Sequence, residues 1–321
     1  MTTAANVTYS GVGIAEDFED IIFDISPEDT PFLSVCKRTK AGQTFHQWQT
    51  DSLKAAGANA QIEGLDSTFA TLSPTTVLGN YCQISSKTVN ISGTYDVVRK
   101  YGRKSETAYQ LMKAGKELKR DIEYAIVRNQ ASSAGGQATA RATGSIESWI
   151  GSQSGNMSKA TGCTGATTIG FASGVVAAPT DGTQVTFIEA DLQTTLGLAW
   201  TDGGDPSLIL MSSTNKKRFS AFAGIATKYN EVKGQNQGII VGAADVYVSD
   251  FGNHTVKMDR FMRDYAVLCI DPDYVGLAQL RPIEKTELAK TGDSTKWLLL
   301  TEYALVVQNP DAHAKLASVG A

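Results

Sequence analysis

An amphipathic stretch from Ser105 to about Gln130 constrains this chain more than any other feature. Apolar or small residues recur at Ala108, Leu111, Met112, Gly115, Leu118, Ile122, Ala125 and Ile126. Steps of three and four put them on one stripe of a helix. Lys113, Lys116, Glu117, Lys119, Arg120, Asp121 and Glu123 fill the opposite face. The Ser105 hydroxyl can accept from an orphan backbone N–H of the first turn. The predicted rod is roughly 40 Å long, about twice the usual globular helix. An extended polar arm precedes it and a mixed α/β region follows. A lone rod in that position suits a subunit that bridges to neighbours better than it suits an enzyme.

Composition agrees with that view. The chain has 321 residues, enough for two modest lobes, and only 19% of them are charged. Ala, Thr, Ser and Gly fill the gap, as expected of a surface covered by partners or of an ordinary soluble protein with Gly-rich loops. A net charge of −4 gives no electrostatic footprint for strong nucleic-acid binding. Cys36, Cys82, Cys163 and Cys269 are far apart without CxxC spacing, so no zinc site is predicted and reduced thiols are the default. No apolar run approaches the ~20 residues of a membrane helix, and the first residues do not form a signal peptide.

Before the rod, residues 1–41 read as an arm that lies across a surface without a core of its own. Acids at Glu16, Asp17, Glu19 and Asp20 are interleaved with Phe18, Ile21, Ile22 and Phe23. Pro27 and Pro31, four residues apart, exclude a regular helix or central strand over residues 25–32. Residues 42–94 read as one long excursion. Its outgoing strand covers 43–50, its return strand covers 77–92, and a small, polar tip lies between. An isolated two-stranded excursion is marginally stable, so it needs another subunit or another part of the chain. Residues 132–185 are rich in Gly, Ser, Thr and Ala and read as a loop-rich insertion with short strands at most. Beyond 186 a helix is predicted over 187–200, a buried strand over 207–211 and a basic helix over 214–222. Strands over 244–249 and 254–258 form a pair, and further strands cover 265–270, 274–280 and 297–307.

No set of residues assembles into a catalytic site. The three histidines, His46, His254 and His313, lack metal spacing, and no Ser lies in a GxSxG setting. Asp271-Pro272-Asp273 and Lys290-Thr291-Gly292-Asp293 read as turns. We therefore assign no catalytic, cofactor or metal residues. Arg99, Lys100, Arg103 and Lys104 crowd the start of the rod, where the helix dipole disfavours cations. Acids of another subunit or phosphates would compensate them, or they form a solvated patch. Trp48 and Trp149 lie in segments poorly able to bury them, and are either interface anchors or locally packed.

Six stretches, in order, carry a resemblance. They are Glu28-Asp29-Thr30-Pro31-Phe32-Leu33-Ser34, Val89-Asn90-Ile91-Ser92-Gly93-Thr94, and Lys116-Glu117-Leu118-Lys119-Arg120-Asp121-Ile122-Glu123. Asp250-Phe251-Gly252 with Met258-Asp259-Arg260-Phe261-Met262 follows. Ala289-Lys290-Thr291-Gly292-Asp293 and Val307-Gln308-Asn309-Pro310-Asp311-Ala312-His313-Ala314 complete the set. Together they resemble a tailed-bacteriophage major capsid protein of the fold named for phage Hong Kong ninety-seven. The resemblance implies an α+β fold with an N-terminal arm (1–41), an extended β-hairpin loop (42–94) and a peripheral domain with the spine helix and insertion (95–185). An axial domain (186–295) and a return strand to the peripheral domain (296–321) would follow.

The implied function is a self-assembling homo-oligomer, pentamers and hexamers of an icosahedral shell around double-stranded DNA, built in the host bacterial cytoplasm and ending in the virion. Portal, scaffolding and decoration proteins are candidate partners, DNA contact is weak and non-specific, and no membrane is involved. Candidate inter-subunit residues are Glu16, Asp17, Glu19, Asp20, Trp48, Arg99, Lys100, Arg103, Lys104 and Trp149. An encapsulin-like cellular compartment is the alternative, and a soluble enzyme of atypical α/β fold is the reading from another class.

Overall fold

The computed structural model describes residues 29–64, 66, 69, 71–72, 74–153, 156–165, 176–222 and 245–320. The acidic cluster Glu16, Asp17, Glu19 and Asp20 lies outside them. Along the chain come helix α1 (Pro31–Val35), strand β1 (Lys37–Lys40), β2 (Phe45–Thr50), β3 (Thr76–Tyr81), β4 (Gln83–Ser92), α2 (Gly93–Val97) and α3 (Glu106–Val127). Then follow α4 (Ile146–Gln153), β5 (Met157–Lys159), α5 (Glu189–Thr201), β6 (Leu208–Met211) and α6 (Ser213–Ser220). Strands β7 (Val246–Ser249), β8 (Gly252–Met258), β9 (Ala266–Ile270), β10 (Val275–Leu288), β11 (Ser294–Val307) and β12 (Ala314–Ala317) complete the described chain.

The predicted rod is α3, with 22 residues and so about 33 Å of length. Ser105 Oγ accepts from Ala108 N as its sequence position suggests. A second cap was not foreseen. Asp96 Oδ1 accepts from the N–H groups of Glu106 and Thr107 at 3.0 and 3.3 Å. This carboxylate answers the helix dipole beside the basic cluster. Along the stripe, Ala114 and Leu118 pack on Leu299 of β11, while Ile122, Ile126 and Val127 enter the main core. Glu123, expected on the solvated face, is fully buried.

Two sheets organise the rest. A four-stranded sheet runs β1-β10-β11-β4 beside α3, and a six-stranded sheet runs β5-β12-β9-β6-β8-β7. The β10–β11 hairpin is antiparallel from Val275↔Val307 to Leu288↔Lys296, with irregular register around Pro282. Proline is tolerated there because β1 pairs only as far as Gln279, leaving that stretch of β10 with one partner. In the six-stranded sheet β6, β9 and β12 are buried throughout. One face supplies Leu208, Leu210 and Leu268 to the main core; the other supplies Ile209, Val267 and Leu316 to a second core under α5 and α6. Such doubly covered strands read as unbroken apolar runs.

Several expectations change. The return strand breaks at Cys82: β3 pairs with β2, while β4 leaves to pair with β11. The root of the excursion thus packs on its own chain, with Leu78 in the main core. The insertion contains a helix, α4, whose Ile146, Trp149 and Ile150 are fully buried. The arm does enter a core, because Phe32 and Leu33 are buried beside α3. The sheets also cross the boundaries expected at 295 and 296: β10 joins the sheet beside α3, and β12 joins the six-stranded sheet.

Candidate interface surfaces and the charges beneath them

Beyond β2 and β3 the excursion has no cover among the described residues. Every described residue from 51 to 75 is exposed, among them Leu53, Ile62, Phe69 and Leu72. Apolar side chains so presented gain nothing within one subunit. A second open surface flanks α3. Strand β4 is a sheet edge with β11 as its one strand partner among the described residues. Between β4 and α3 runs a polar groove of about 520 Å³, lined by Lys87, Asn90, Tyr95, Glu106, Gln110 and Lys113. An unpaired strand edge is a ready template for another chain.

The candidate residues divide. Arg103 pairs with Glu106, donates to Tyr95 Oη at 3.1 Å and lies over the Tyr109 ring. Lys100 donates to the carbonyls of Asp96 and Val98 and lies over the Tyr95 ring. Both are therefore engaged inside the subunit. Arg99 and Lys104 are exposed, next to the exposed Val97, Val98 and Tyr101. Trp149 has no exposed surface and offers none to a neighbour; its burial in the main core corrects its assignment as an interface anchor. Trp48 is half-buried against it, with ring centroids 5.4 Å apart. Local packing explains both indoles, because the β2–β3 root folds back onto α4.

Ionic contacts that single residues did not signal tie the elements beneath these surfaces. Glu147 of α4 receives the Arg263 guanidinium and, at 3.1 Å, Lys315 Nζ of β12. Arg263 also pairs with Asp181 at 2.6 Å. Burial lowers the Lys315 amine, while Glu147 pulls it back up. Glu302 of β11 takes Arg141 on one oxygen and Arg281 on the other, at 2.9 Å. Asn80 donates to the carbonyls of Gly144 and Leu305 and accepts from Gly144 N, joining β3 to β11. Fully buried His313 accepts from Asp271 N and is pushed down to about 3 by desolvation, so it is neutral across ordinary pH. Asp96 is held below the usual carboxylate range, chiefly by the Thr107 N–H. Hydrogen-bond partners of this kind are invisible to periodicity.

The motifs that carried the resemblance meet in space. Gly93 N donates to Asp293 O at 3.1 Å, and an added Cβ at Gly93 would stand 2.5 Å from Asp293 Oδ1. The Gly of one motif and the turn of another are thus one close contact.

A family model described as "SU10 major capsid protein" matches residues 1–320. The major capsid protein of Escherichia phage Phieco32 is 30% identical over 340 aligned residues, spanning 97% of this chain and 96% of its own length. Among solved structures, a chain of the Cyanophage A-1(L) capsid asymmetric unit shares the fold with a TM-score of 0.71 at 13% identity, covering 96% of this chain and 98% of that one. A chain of the native GTA particle capsid has a TM-score of 0.61 at 12% identity, with 97% of each chain covered. The α+β architecture with its long spine helix is accordingly the phage capsid fold. With the match running through nearly every residue, the chain belongs to the SU10 major capsid protein family.

Proposed function

We propose that the subunit assembles into pentamers and hexamers of an icosahedral shell enclosing a double-stranded DNA phage genome. The observation that carries this reading is the uncovered excursion: described residues 51–75 expose Leu53, Ile62, Phe69 and Leu72, which a neighbouring subunit would cover. In this scheme α3 with the four-stranded sheet forms the peripheral unit, and the six-stranded sheet with α5 and α6 forms the axial unit. Arg99 and Lys104 remain available to a neighbour's Glu16, Asp17, Glu19 and Asp20. Portal, scaffolding and decoration proteins would dock on the finished shell or guide it, and assembly would take place in the host cytoplasm. The subunit does no chemistry of its own.

Deleting residues 55–74 tests this. The expected outcome, read by electron microscopy and circular dichroism, is loss of shells or altered particle size with the α/β core still folded. Wild-type particles from the deleted chain would refute the reading.

A further inference from the structure

Three distant stretches meet at one buried point: the arm root at 31–36, the spine helix at Glu123 and the turn after β8 at 258–262. Glu123 and Asp259 are buried to within 1% of full enclosure. Glu123 Oε1 and Oε2 accept from Phe32 N and Leu33 N, each at 2.7 Å. The carboxylate thereby caps α1, whose own N-cap residue Thr30 makes no side-chain cap. Asp259 Oδ1 accepts from Phe261 N at 2.8 Å. Its Oδ2 is buried with no donor, and the Asp259 carboxyl lies within hydrogen-bonding reach of Glu123. Two carboxylates in contact cannot both be charged without cost, and one proton between them supplies the missing donor.

We propose that Glu123 and Asp259 form a proton-dependent latch that fastens the spine helix, together with the arm root, to the six-stranded sheet. Ionised Glu123 still holds the two α1 amides, and holds them more strongly as a full charge. The seam that opens on loss of the proton is therefore the one between α3 and the 258–262 turn. A cavity of about 640 Å³, lined by Asp29, Pro31, Ser212, Asp259, Arg260 and Asp264, lies between the arm root and that turn and brings open space to the Asp259 side of the seam.

The surroundings set the direction. From α3's end, the Arg128 charge favours ionised Asp259, while its Nε is committed to Phe261 O at 3.0 Å. From the α1–β1 link, buried Cys36 lies near enough for the Glu123 charge to help burial raise its thiol. Arg260, Asp264 and Asp29 complete the charged groups at the cavity, and among the described residues no cation forms an ion pair with either carboxylate. Burial first, then Asp259, pushes Glu123 up to about 8. Burial also raises Asp259, so the two titrate as a pair. A carboxyl raised above its ordinary value stabilises fully below that ordinary value. The stabilisation declines as pH rises and is gone above about 8.

Hydrogen exchange on assembled protein at pH 6 and pH 9, corrected for intrinsic exchange, tests the latch. Wild-type protein should show at least tenfold faster corrected exchange over 258–264 at pH 9. Asp259→Asn should show no such difference, because its amide donates to Glu123 at either pH. If that variant does not assemble, Glu123→Gln is read instead, with the same expectation. A pH response equal in wild type and variant, or absent from wild type, overturns the proposal.

Discussion

Glu147 shows how much of this fold hangs on single buried charges. Its carboxylate is 1% exposed and joins Arg263 and Lys315, so α4, the approach to β9 and β12 meet on it. Removing it leaves Lys315 without its anion in a dry site and Arg263 with Asp181 alone. Glu147→Ala should therefore destabilise the subunit by about 3–5 kcal/mol. Lys315→Met should cost less, about 1–2 kcal/mol, because Arg263 still pairs Glu147 and no buried charge is left alone. Denaturant unfolding of the two variants measures the contrast. Neither Glu147 nor Glu123 was legible as a buried residue in the sequence. Helical periodicity names the face that packs on a neighbouring element; it does not name which backbone amides or guanidinium groups will arrive at a residue on the stripe's margin. The indoles failed for a related reason. Trp149 looked stranded in a polar segment because its partners, among them Trp48 of β2 and the strands of the main core, are remote in sequence.

Among elements, α3 was legible because its stripe, its Ser105 cap and its length are all local properties. The second cap was not, because Asp96 is ten residues away from Glu106 and reaches it only through the loop after α2. Asp96→Ala should leave the helix in place but fray its first turn. Amide exchange at Glu106 and Thr107 should accelerate severalfold, while the turn around Leu118 keeps its protection. The lowered carboxyl adds a sign: Asp96's contribution is present above the ordinary carboxylate range and fades as pH falls through its depressed value. Helix α4 escaped notice because Ile-Glu-Ser-Trp-Ile-Gly-Ser-Gln has poor intrinsic helix propensity; burial of Ile146, Trp149 and Ile150 makes it a helix. Strand β12 is four residues long, too short for alternation to reveal. The buried run at 208–211 was legible because a strand covered on both faces is apolar throughout.

At the scale of the molecule, charge bounds what the shell does to its contents. Net charge is −4, and the cations of α3 are interleaved with acids: Lys87 of β4 pairs with Asp121 at 2.8 Å. Tight binding by counterion release needs clustered, uncommitted cations. The purified subunit should bind duplex DNA no more tightly than roughly micromolar at physiological salt, without sequence preference. Fluorescence anisotropy at two salt concentrations measures this.

The order of strands has one more consequence, and it concerns time. Strand β11 lies between β10 and β4, and β12 lies between β5 and β9, so the last strands of the chain are interior members of both sheets. A polypeptide still being synthesised can form α3 and the β2–β3 hairpin, but each sheet stays split until its final strands arrive. Closure of each sheet is thus deferred until β11 and β12 have been made, as long-range pairing demands. A prematurely terminated chain lacks the strands that close both sheets. Without them neither sheet closes, so a truncated copy should fail to fold to the surface a complete subunit presents.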